Sequence, residues 1–166
     1  MILGMSLEAF TTLHVVLSLI GIASGFVVVL GMMGGKRLPA VTMLFLVTTA
    51  LTSLTGFLFP LKSVTPAVIL GILSILVLLL ATIALYGRHL AGAWRGTYVI
   101  SAVVALYFNF FVLIVQSFLK VPALNALAPT QSEGPFKIAQ LLALVVFISL
   151  GTLAFRRFRP LLAATA

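Results

Sequence analysis

The 166-residue chain has no cysteine and only two acidic residues, Glu8 and Glu133. The first absence excludes disulfides, iron–sulfur clusters, thiolate-ligated metals and cysteine nucleophiles. The second leaves no paired carboxylates for general acid–base work, and no acid inside an apolar run to couple proton or sodium movement. An HExxH motif, a phosphate-cradling glycine loop and a Ser-His-Asp set are also missing, so the reading is of a protein that is not an enzyme. Charge of either sign is scarce, at 7% of residues, while 63% are hydrophobic. Such a chain cannot cover a water-facing surface, and a bilayer is the solvent that suits it.

Charge on a membrane helix is costly, at least about 2.5 kcal/mol per residue at the bilayer centre, so uncharged stretches mark the spans. Five are present, which predicts an all-α, polytopic bundle with helices over about 7–33, 38–59, 65–86, 96–119 and 135–155, forming a single transmembrane domain over 1–166. The second stops at Pro60, and the third opens on Thr65-Pro66, a helix-start signal. The fifth is the shortest without charge, and Lys137 fits inside it by stretching its ammonium back to the headgroups. No basic n-region precedes the first run, which is expected to be a retained helix rather than a cleaved signal.

What charge there is falls unevenly. Lys36, Arg37, Arg88, Arg95, Arg156, Arg157 and Arg159 lie on one side of the expected topology, and Lys62, Lys120 and Lys137 on the other with both acids. By the positive-inside rule the N-terminus is expected outside and the C-terminus in the cytoplasm, in a prokaryotic plasma (inner) membrane. Tyr86, Trp94 and Tyr98 suit an inner-leaflet aromatic belt, and His89 beside Arg88 reads as an interfacial residue. The net charge of +8 is scattered between apolar runs and builds no phosphate-binding face, so the expected partner is the lipid bilayer and not nucleic acid. The long connection from Lys120 to Gly134 is apolar enough to lie on the outer surface as one or two helical turns. No internal repeat suggests the inverted halves of a transporter.

Membrane helices meet through small and hydrogen-bonding side chains, and these form readable stripes. The first helix has Thr11, His14, Ser18, Gly21 and Gly25 on one face; the second groups Thr49, Thr52, Ser53 and Gly56. The third has Ala67, Gly71, Ser74 and Ala81, and the fourth Tyr98, Ala102, Ala105, Asn109, Val112 and Gln116. The fifth has Gln140, Ala143, Phe147, Gly151 and Ala154. Gly21, Gly25, Gly71 and Gly151 are expected at helix contacts. The polar members fall in the outer half, which makes a shared pocket of His14, Ser18, Thr52, Ser53, Asn109, Gln116 and Gln140 geometrically available. Ordinary structure competes with it: the amides also serve as interhelical glue, and Thr52 and Ser53 as hydroxyls bonded back to their own helix. His14, the one ionisable group well inside a span, is either a functional group or a satisfied neutral histidine. Haem would need a second intramembrane histidine, which only a dimer pairing two copies of His14 supplies; no other metal site is expected.

Two function classes fit. One is a non-enzymatic membrane subunit or binding module, alone or in a homo-oligomer or larger complex, whose outer pocket holds a lipid, a quinone or a similar apolar ligand. The other is a small oligomeric channel or facilitator lined by Thr49, Thr52, Ser53, Asn109 and Gln116.

Overall fold

The computed structural model describes residues 2–60 and 66–159, with the backbone alone at Pro66 and Ala67; Lys62, Thr65 and the Ala67 side chain are outside the described residues. The fold is all-helical, and five of its helices are long and apolar enough to cross a membrane. α1 runs Leu7–Met33, α2 Pro39–Gly56, α3 Pro66–Thr82, α4 Trp94–Lys120, the short α5 Pro122–Leu127, and α6 Gly134–Arg157. The chain is a multi-pass membrane protein in architecture.

Local chemistry sets the ends. Ser6 Oγ accepts from the Ala9 amide at 3.1 Å, and Glu8 in the first turn favours the positive end of the α1 dipole. α1 stops where Gly35 adopts φ +70°, a backbone that only glycine takes without strain. α2 and α5 start on Pro39 and Pro122, which need no amide partner there. α2 ends at Gly56, three residues short of the expected Phe59. The reason is packing: beyond Gly56 the chain unwinds, Phe59 turns back onto Phe10 and His14, with centroids at 5.1 and 5.3 Å, and Phe57 lies against Gly71. α3 ends in a π-helical turn, Ile83–Gly87, after which the Leu90 amide reaches back to the Ala84 carbonyl.

α1, α2, α3 and α4 form a closed ring in which each packs on the next, and α6 lies outside it in the groove between α1 and α4. The half of the ring where α1 ends and α4 begins is filled. Val28, Val29, Met32, Phe45, Leu106 and Val99 are buried there, with Tyr98 beside Phe158. Arg95 on α4 donates to the Phe155 and Phe158 carbonyls at 2.8 and 2.7 Å, closing the free C-terminal end of α6 from a neighbouring helix. In the connection after α4, Asn125 and Gln131 donate to the Phe118 and Val115 carbonyls, tying α5 and the loop beyond it to the end of α4.

Candidate functional site

The other half of the ring is hollow. A cavity of about 680 Å³ lies between α1, α2, α3 and α4, at the end that carries the N-terminus. Its volume falls in the range of small-molecule sites, about 300–1,000 Å³. On α4 it reaches from Phe108 to Lys120, about 18 Å at 1.5 Å per residue. Most of the wall is apolar, with Val15, Leu19, Phe57, Phe59, Leu70, Phe108, Val112 and Leu113. A second void, near Arg37 and Phe158 in the filled half, measures about 40 Å³, room for little beyond one or two waters.

The stripes converge as the ring requires. His14, Ser18, Thr52, Ser53, Asn109 and Gln116 all line the cavity, contributed by α1, α2 and α4. Asn109 Nδ2 donates across the bundle to Thr49 Oγ1 at 3.3 Å, so this amide is both interhelical glue and part of the wall. Thr52 and Ser53 return their protons to the Thr48 and Thr49 carbonyls at 2.8 and 3.1 Å, and Ser18 to Val15 at 2.9 Å. These three hydroxyls therefore offer the cavity only acceptor lone pairs.

Gln140 departs from the expected set. α6 packs on the outside of the α1–α4 edge, so its amide cannot reach the ring interior. It donates instead to the Phe111 carbonyl at 3.3 Å, with Oε1 buried and unpartnered. The four glycines stand at close contacts. A Cβ on Gly21 would meet the Thr49 and Thr48 hydroxyls and the Asn109 amide at 3.1–3.3 Å, and one on Gly25 would meet Leu106 and Phe45 at 2.6 and 2.8 Å. Gly71 faces Phe57, and Gly151 faces Val103.

Three groups, two in the lining and one behind it, carry chemistry that the stripes alone do not reveal. Ser74 on α3 is 4% exposed, and its Oγ has no hydrogen-bond partner among the described residues, although the residue lines the cavity. Serines in membrane helices usually satisfy the hydroxyl on the preceding turn. Ser74 does not: its oxygen is buried, and only rotation about the Cα–Cβ bond would turn its unbonded donor and acceptor toward an occupant. It lies about 12 Å along α3, a depth close to the roughly 10 Å of His14 on the diagonally opposite helix. Thr55, one turn after Leu51, meets His14 Nδ1 at 2.8 Å. Lys120 brings a cation to the end of the cavity, whose lining among the described residues contains no carboxylate. No group of three histidine, aspartate or glutamate side chains able to hold a metal occurs among the described residues.

No protein-family model, curated protein or solved structure matches the chain.

Proposed function

We propose that the protein is a non-enzymatic membrane binding module whose hollow half holds a mostly apolar small molecule, such as a lipid or a quinone. The observation that carries this reading is the unpartnered Ser74 hydroxyl, buried in the wall of a 680 Å³ cavity that is otherwise largely apolar. A buried hydroxyl without a partner costs about 1–3 kcal/mol, a penalty that is removed when the side chain turns to an occupant with one polar group. The charge asymmetry of the loops supports a prokaryotic plasma membrane with the cavity in its outer half, and the exposed apolar face of α6 leaves room for a second copy or another subunit. The oligomeric channel reading has less support. Thr49, Thr52, Ser53 and Asn109 face the interior of one ring rather than a neighbouring copy, and the cavity gives way to the packed half of the bundle.

The test is native mass spectrometry of protein extracted in mild detergent. A retained small molecule in stoichiometric amount is expected, with a loss of several-fold in occupancy for Gln116→Leu, since an amide in the wall is worth about 1 kcal/mol or more when its hydrogen bond is lost. Ligand-free protein that conducts ions or solutes in liposomes would count against the binding module.

A further inference from the structure

His14 and Thr55 together set which polar group the cavity can receive. Thr55 Oγ1 has one proton and three neighbours: the Leu51 and Thr52 carbonyls at 2.7 and 3.1 Å, and His14 Nδ1 at 2.8 Å. A carbonyl can only accept, so the proton goes to the backbone and the oxygen turns a lone pair toward Nδ1. Nδ1 must then carry the hydrogen, which leaves Nε2 of the same ring as a bare acceptor. Phe59 packs edge-on against the imidazole at 5.3 Å and holds its plane. Nε2 itself has no hydrogen-bond partner among the described residues, and His14 lines the cavity. No carboxylate is in that lining to accompany an imidazolium, and Lys120 beside it has the same sign.

We infer that the cavity selects an apolar molecule bearing a hydroxyl, that is an alcohol, phenol or quinol, which donates to His14 Nε2, with Thr55 as the positioning residue that fixes the tautomer. This rests on the binding-module reading and narrows its ligand class, favouring a quinol over the corresponding quinone. An ether or ketone oxygen in the same place would set lone pair against lone pair and leave two acceptors desolvated without a proton between them.

Two probes that differ chiefly in this proton decide the matter: para-octylphenol and its methyl ether, para-octylanisole. Each is titrated into the full chain in phosphatidylcholine nanodiscs, and affinity is read from the shift in thermal unfolding by circular dichroism. Wild-type protein is expected to bind the phenol about tenfold or more tightly than the ether. Thr55→Val, similar in shape, frees the ring to present Nε2–H, and the gap between the probes closes mainly because the ether binds better. His14→Phe leaves both probes at the weaker affinity. Equal affinities in the wild type would overturn hydroxyl selection while leaving the binding module standing. A full gap retained in Thr55→Val would remove the positioning role of Thr55. Stabilisation by neither probe, with no small molecule retained in native mass spectra, would overturn both readings.

Discussion

Ser74 shows at the residue scale how a functional group differs from a packing group of the same type. Its neighbours in the α3 stripe, Gly71 and Ala81, serve close contact, and a serine three positions from a glycine reads from sequence as one more small residue. Hydrogen bonding separates them, because the buried Ser74 hydroxyl beside the cavity makes no bond to its own helix, and no periodicity encodes that. Ser74→Ala should therefore leave the empty protein as stable as the wild type, or more stable by up to about 1 kcal/mol, since a desolvated hydroxyl disappears. The same substitution should lower occupancy by the retained molecule. Thermal unfolding and native mass spectrometry on the same preparation would show opposite trends; a variant that is less stable and fully occupied would assign Ser74 to packing. Thr55 and Lys120 were hidden for related reasons. Thr55 lies outside the stripe of Thr49, Thr52 and Ser53, and Lys120 reads as the mark of a helix end, yet the first holds His14 and the second lines the cavity.

The five spans are legible at the scale of elements because fixed charge is excluded from them: the uncharged run between Glu8 and Lys36 becomes α1, and proline and glycine place most other ends within a few residues. The early end of α2 is not legible, because Phe57, Leu58 and Phe59 continue an apolar run and only tertiary contact with Phe10, His14 and Gly71 unwinds it. Gln140 escapes for a different reason. Which helices share a ring and which lies outside depends on packing order, and its amide looks the same in either place. Among the four glycines expected at helix contacts, contact is tightest at Gly25, where an added Cβ would lie 2.6 Å from Leu106 and 2.8 Å from the buried Phe45 ring. Gly25→Ala should destabilise the bundle by about 1–3 kcal/mol, measured as a lower midpoint of thermal unfolding in detergent. A second test belongs to the loop before α6. Desolvation raises the Glu133 carboxyl, but the Thr130 hydroxyl and the amides of Glu133, Thr130 and Ser132 outweigh it and hold the group below its ordinary value of 4.5. A depressed folded pKa stabilises the loop fully above the unfolded value and loses that contribution as pH falls through the lower folded one. Amide exchange at Thr130 and Ser132, corrected for its intrinsic pH dependence, should stay protected at neutral pH and lose protection in that acid window; Glu133→Gln should abolish the pH dependence.

Asymmetry along its axis organises the whole molecule. One half of the ring is filled by Val28, Met32, Phe45, Leu106 and Tyr98, and it shares its end with Lys36, Arg37, Arg88, Arg95, Arg156 and Arg157; the other half contains the partly open cavity. A packed, cation-rich end and a hollow, cation-poor end assign the two halves different surroundings. By the positive-inside rule the basic end is expected in the cytoplasm, which predicts a cavity in the outer leaflet that an apolar molecule would enter without passing the filled half. The missing cysteines make this directly testable, because any thiol introduced is the only one in the chain. In intact cells Gln131→Cys, in the loop between α5 and α6, should react with a membrane-impermeant maleimide, and Arg156→Cys, in the last turn of α6, should react only after the membrane is opened. The reverse pattern would turn the molecule over, placing the cavity in the cytoplasmic leaflet and its ligand on the inner side of the membrane.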